Sequence, residues 1–209
     1  MRIAVPRGRL NGPAWAWLQQ AGFALAAPAG RQLWTQGGSV DAVEVRGRDM
    51  PSLLTAGVVD AAIVGRDVVD EAGLALVLVR SLDFGVCRLV AAAPRDTRLA
   101  SGRRWRVATR YPRITRRWMD ARGLAGDVVT MSGAVEAAPW LGLADAVVDV
   151  VETGATLAAN GLVAIETVMR SSATLSASSK SARGVQRWIQ DAMAEQEERG
   201  MDPRALGVS

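Results

Sequence analysis

Short apolar runs alternate with amphipathic ones from one end of the chain to the other. RIAV at 2–5 reads as a strand, and VDAVEV at 40–45 alternates as one. DAAIVG at 60–65, ALVLV at 75–79, VCRLVAAA at 86–93, WRVAT at 105–109, DVVTM at 127–131 and ADAVVDVV at 144–151 add further strands. The segment 163–178, VAIETVMRSSATLSAS, reads as extended. Helical patterns fill the gaps. Asn11 is placed to cap a helix that carries Trp15 and Leu18 and ends at Gly22. Asp49 is placed to cap a turn of helix that contains Pro51. YPRITRRWMDARG is an amphipathic helix closed by Gly123, and 181–199 a final helix that frays from about Arg199. Short apolar strands separated by helices predict an α/β fold with mainly parallel sheets. SLDFG interrupts the pattern near Asp83 to Gly85, which divides the chain into two α/β lobes with a cleft between them.

Composition narrows the chemistry. Hydrophobic residues make up 49% of the 209, enough for a sizeable core. The longest apolar runs are too short to span a bilayer, and MRIAVPRGRL lacks the apolar stretch of a signal peptide. No membrane partner and a cytoplasmic location are therefore expected. Cys87 is the only cysteine, so no intrachain disulfide or thiolate metal cluster forms. There is no histidine, which excludes Ser-His-Asp and Cys-His catalysis and removes the commonest metal ligand. The net charge is +4, and Lys180 is the only lysine among 25 basic residues. Ten arginines fall between Arg95 and Arg122 against Asp96 and Asp120. That surplus suits a polyanion, or a solvated helix face. Nucleic acid is not the preferred polyanion, because no partner helix with a proper turn precedes YPRITRRWMDARG.

The sharpest local signal is DVVETGATLAANGL at 149–162. An apolar strand stops at acids, and Thr-Gly-x-Thr then opens a short helix. Ligands of open α/β sheets sit at the carboxyl ends of strands. Gly154 admits close backbone approach, Thr153 and Thr156 add hydroxyls, and the amides from Gly154 through Ala155 to Leu157 face outward from a helix start. Asp149 and Glu152 suit ribose hydroxyls or a Mg²⁺ carried by pyrophosphate. The spacing is not that of a Walker A loop. An ordinary capped strand–helix turn is the alternative. Other polar segments follow predicted strands: Arg7 and Arg9 in PRGRL, Arg46 and Asp49 in RGRDMP, Asp67 after AAIVG, and Thr109, Arg110 and Tyr111 in ATRYP.

Taken in order, these segments resemble a known family. PRGRL, RGRDMP, VDAAIVGRD, DFGVCRLVAAAP, VATRYP and EAAPWLGLADAVVDVVETGATL followed by NGL are similar to the landmarks of ATP phosphoribosyltransferase in its short form. The resemblance implies that N1 of the ATP adenine attacks the anomeric carbon of 5-phosphoribosyl pyrophosphate (PRPP), with substrate-bound Mg²⁺ and loss of pyrophosphate. It implies two lobes like type II periplasmic binding proteins, residues 1–83 with 172–209 and residues 84–171. By the match, Thr153, Gly154, Ala155, Thr156 and Leu157 hold the ribose 5-phosphate, Asp149 and Glu152 the ribose hydroxyls, and Arg7 and Arg9 the pyrophosphate. Arg46, Asp49, Asp67, Thr109, Arg110 and Tyr111 complete the ATP and PRPP sites, and no metal ligand is assigned directly. The partner implied is a regulatory subunit resembling a histidyl-tRNA synthetase, around a homo-oligomeric core. Arg7 and Arg110 stand where the family commonly has lysine, and TLSASSKS at 174–181 departs from the usual segment. A solute-binding protein and a salvage phosphoribosyltransferase are the rivals. The salvage loop carries two adjacent acids, whereas Asp149 and Glu152 are separated.

Overall fold

The computed structural model describes residues 1–198, so the fraying expected from Arg199 lies outside the described residues. The chain divides into two compact units. Among the described residues, one comprises 1–85 and 172–198, and the other Val86–Ser171.

The first unit is built on a six-stranded sheet in the order β2-β3-β1-β4-β11-β5. Its centre is β1 (Arg2–Pro6), parallel to β3 (Val40–Val45) and β4 (Ala61–Gly65). The short β2 (Trp34–Gly37) edges β3. On the other side β11 (Ala173–Ser178) runs antiparallel between β4 and β5 (Leu76–Ser81). Alternation along β1 sorts two cores. Ile3 and Val5 pack with Trp15, Leu18 and Val185, from α1 (Asn11–Gln20) and α6 (Ala182–Glu198). Ala4 packs on the opposite face with Met50 and Leu54 of α2 (Met50–Thr55). Phe23 stacks on Trp188 at 4.0 Å between ring centroids, tying the loop after α1 to α6. The short α3 (Arg66–Ala72) follows β4 directly.

The second unit carries a five-stranded sheet in the order β10-β6-β9-β7-β8. Its strands are β6 (Cys87–Pro94), β7 (Trp105–Thr109), β8 (Gly126–Thr130), β9 (Ala146–Val151) and β10 (Leu162–Ser171). The buried strand β9 has apolar side chains on both faces, as a central strand requires. Ala146 and Val148 meet Ile114, Trp118 and Met119 of α4 (Pro112–Ala121). Val147 and Val151 meet Leu157 of α5 (Ala155–Ala159). Gly126 opens β8 where any Cβ would overlap the Trp105 backbone.

Two expectations need correction. The sheets are mixed, with parallel pairing confined to β3-β1-β4 and β9-β7-β8. The connections β5–β6 and β10–β11 contain no helix, and the strands they join meet their neighbours antiparallel. Leu10, not Asn11, is the cap residue of α1. The Asn11 amide instead donates to the Pro6 carbonyl at 3.0 Å and to Glu44 Oε1 at 2.8 Å, beside Trp15 Nε1. Asp49 does occupy the cap position of α2, but its side chain makes no capping hydrogen bond there.

Candidate active site

In the second unit, β7 and β9 run parallel and end side by side, with Thr109 in register with Val148. Thr109 is fully buried. Its hydroxyl donates to the Val148 carbonyl at 2.7 Å and accepts from the Tyr111 amide at 2.9 Å. Sequence reasoning placed Thr109 among ligand contacts. The structure spends its hydroxyl on the backbone, where it fixes the turn that carries Arg110.

Arg110 then reaches Asp149. Nη2 donates at 2.7 Å and Nε at 3.1 Å to the same oxygen, Oδ1, which also accepts the Val150 amide at 2.8 Å. Oδ2 receives no hydrogen bond from the described residues. Asp149 lies on the β9 face shared by Val147 and Val151, and its side chain is 5% exposed. A carboxylate so buried needs a cation, and Arg110 supplies one. Burial works against the Arg110 charge, but the hydrogen bond and charge of Asp149 outweigh it and hold the guanidinium above its ordinary pKa. Glu136 adds to that effect from the 3-10 turn Val135–Ala137. Glu136 opens the motif EAAPWLGLAD, and nothing in its spacing signals this influence on Arg110. The turn is entered through Ala134 at φ 49°, and no other non-glycine among the described residues has positive φ.

Beyond β9 the loop narrows to Gly154, which caps α5 at φ 86°. Only Val151 Cγ1, at 3.9 Å, would touch a Cβ there, so conformation and not space demands glycine. Thr153 Oγ1 accepts the Ala155 amide at 3.4 Å. Glu152, Thr153, Ala155 and Thr156 are exposed. Leu157 is buried in the core, so it offers the loop an amide and no side chain. The structure thus brings Asp149, Arg110 and the 152–157 loop together at the carboxyl ends of β7 and β9.

The remaining candidates lie on the first unit, after its parallel strands. Arg7 and Arg9 follow β1 and are exposed, with the Arg7 amide bonded to the Val45 carbonyl at 2.9 Å. Arg46 and Asp49 follow β3 and are exposed. Asp67 is buried in the first turn of α3, its carboxylate folded against Gly65. The arginines between 95 and 122 do not form one patch. Arg103 pairs with Asp145 at 3.1 Å, Arg104 with Asp127 at 3.1 Å, Arg110 with Asp149, and Arg122 with Glu166. The hydrogen bond from Arg122 outweighs the cost of burial and holds the Glu166 carboxyl below its ordinary range, with Trp118 Nε1 adding a second donor.

A family model described as ATP phosphoribosyltransferase matches residues 46–197. An ATP phosphoribosyltransferase from Gemmatimonas aurantiaca is 42% identical over 184 residues, which cover 84% of this chain and 63% of the relative. One from Thermococcus gammatolerans is 41% identical over 177 residues, covering 84% of this chain and 86% of that one. Among solved structures, the ATP phosphoribosyl transferase (HisG:HisZ) complex from Thermotoga maritima superposes with a TM-score of 0.78 at 26% identity, over 93% of this chain and 99% of that one. The periplasmic aliphatic sulphonate binding protein from Escherichia coli shares the fold, with a TM-score of 0.57 at 17% identity over 99% of this chain and 76% of that one. By the family model and by these identities, the chain belongs to the ATP phosphoribosyltransferase family.

Proposed function

We propose that this chain transfers the phosphoribosyl group of PRPP to N1 of ATP, giving N1-(5-phosphoribosyl)-ATP and pyrophosphate, the first step of histidine biosynthesis. The observation that carries the reading is the Asp149 carboxylate, buried against Arg110 with Oδ2 uncommitted, beside the Gly154 loop in a chain of this family.

Displacement at an anomeric carbon needs a positioned sugar, a positioned nucleophile and a stabilised leaving group. Adenine N1 is already nucleophilic, so a chain without histidine loses nothing. Asp149 accepts ribose hydroxyls through Oδ2, with Glu152 beside it in the loop. The bond between C1′ and the pyrophosphate oxygen breaks as the bond from N1 forms, and carboxylates close to the ring favour the positive charge that builds on it. The amides at 154–157 and the hydroxyls of Thr153 and Thr156 hold the 5-phosphate. On the first unit, Arg7 and Arg9 take the pyrophosphate. Arg46, Asp49, Asp67, Arg110 and Tyr111 contact ATP, with Thr109 setting the turn beneath the last two.

Among the described residues no three His, Cys, Asp or Glu side chains cluster as a metal cage. A Mg²⁺ that arrives on pyrophosphate needs only one or two carboxylates, and Asp149 and Glu152 fit that requirement. Held there, it would neutralise charge on the departing pyrophosphate. We place the reaction in the cytoplasm. No helix of the described residues is long and apolar enough to cross a membrane. The partner we propose is a regulatory subunit resembling a histidyl-tRNA synthetase, assembled around a homo-oligomeric core of this chain. The two-chain complex named for the Thermotoga structure supports that reading.

The test is pyrophosphate release from PRPP and Mg²⁺ with ATP or free adenine as acceptor, for the wild type and Asp149→Asn, with and without the regulatory subunit. Release that requires ATP and falls at least about 100-fold in the variant is expected. Release with adenine would make this a salvage enzyme, and an unaltered variant would remove Asp149 from the site.

A further inference from the structure

At the other end of the second unit, away from the loop, the chain holds apolar side chains out into solvent. Trp140 is 86% exposed, Leu141 53% and Leu143 47%. Single exposed apolar residues are ordinary, but three within four positions on a fixed turn are not. The turn is well tied. The Leu141 amide donates to Ala137 O at 3.0 Å, that of Gly142 to Pro139 O at 3.1 Å, and that of Leu143 to Ala138 O at 3.0 Å. Arg106 Nη1 donates to the Gly142 carbonyl at 2.9 Å. Val135, Ala138 and Ala144 anchor the segment in the core on both sides. The tip is therefore presented in one conformation, so little ordering entropy is lost when it binds.

Beside it lies a hollow of about 420 Å³, lined by Arg98, Arg103, Arg106, Pro139, Gly142 and Asp145 among others. Asp145 is occupied: it pairs with Arg103 and accepts the Arg106 amide at 2.8 Å. Arg98, which lines the hollow, makes no ion pair or hydrogen bond among the described residues. Asp96 also lines the hollow, so its three arginines face two acids and the flank keeps a basic surplus. Tryptophan and arginine are the residue types that dominate binding energy at protein interfaces.

We propose that this tip is a docking surface for a different protein chain, one that offers an apolar pocket for Trp140 rimmed by carboxylates. A second copy docked symmetrically through this tip is disfavoured, because it would set Arg98 of each copy against the same basic surplus. The proposal rests on the partner reading given above and assigns the regulatory subunit to this surface. Its position suits regulation. The tip sits where β7 and β9 begin, at Trp105 and Ala146, and the candidate site sits where they end. A strand of five residues separates the two by roughly 15 Å, so a docked partner leaves the loop uncovered. The 3-10 turn that carries Glu136 leads directly into the tip. A partner gripping Trp140 thus acts on the segment whose carboxylate bears on Arg110.

The experiment compares the wild type, Trp140→Ala and Arg98→Glu in titrations with the purified histidyl-tRNA-synthetase-like subunit. Sedimentation of each chain alone and pyrophosphate release by each chain alone run alongside. Trp140→Ala should weaken subunit binding at least about 30-fold and Arg98→Glu about 10-fold, with release by the lone chain unchanged. Equal binding by the wild type and Trp140→Ala overturns the surface but leaves the partner. No binding by the wild type overturns both. A change in self-association for Trp140→Ala makes the tip a contact between copies and overturns the proposal. Loss of ATP-dependent release in every chain, wild type included, strikes the proposed function instead.

Discussion

Thr115 and Thr109 are both wholly buried in the second unit, and they have opposite bonding. The Thr109 hydroxyl has a donor and an acceptor, while Thr115 Oγ1 has no protein partner. A buried hydroxyl without a bond costs about 1–3 kcal/mol, and valine keeps its shape and branching. Thr115→Val should therefore raise the unfolding free energy by about 1 kcal/mol in urea denaturation, with activity unchanged. A loss of stability would show that the hydroxyl is satisfied. The sequence cannot distinguish these threonines, because their partners are set by the packing of α4 and the pairing of β7 with β9. The same limit hides the Arg110–Asp149 contact. Both residues are legible as candidates from their strand ends, but they stand 39 residues apart and nothing local joins them.

At the scale of elements, the strand–loop–helix unit of β9 and α5 is the part most readable from pattern. ADAVVDVV is apolar on both faces, and Thr-Gly-x-Thr marks its end. Gly154 holds φ 86°, which a β-branched residue adopts only with strain of about 1–3 kcal/mol. The loop is exposed, so that strain reshapes it and leaves the core intact. Gly154→Val should weaken PRPP binding at least about 10-fold by calorimetry while the far-ultraviolet circular dichroism stays as in the wild type. Unchanged affinity would move the 5-phosphate elsewhere. The elements the pattern missed were missed for physical reasons. WTQG has neither length nor alternation and becomes β2 only by pairing with β3. Asn11 has the chemistry of a cap, but Glu44 and the Pro6 carbonyl draw its amide away. Mixed sheets were illegible because strand direction depends on which neighbour a segment meets, not on its own composition.

For the whole molecule, the chain divides into two compact units, and the reading proposed above assigns control of the reaction to a separate regulatory subunit. On that proposal, any response to histidine requires the subunit. Pyrophosphate release by the purified chain alone should be unchanged as histidine is raised. Inhibition of the lone chain would overturn the separate-subunit reading.

The placement of β11 between β4 and β5 has a consequence for how the molecule is made. When Ser171 leaves the ribosome, every strand of the second sheet exists, but only five of the six strands of the first. The missing one is interior, and its arrival joins β5 to the rest. The first unit, whose β1 precedes every strand of the second, is thus the last to close, and the inserted unit has its full sequence first. Until then β4 and β5 present open edges to whatever else is nearby, which is the interval in which a growing chain is most exposed to wrong pairing.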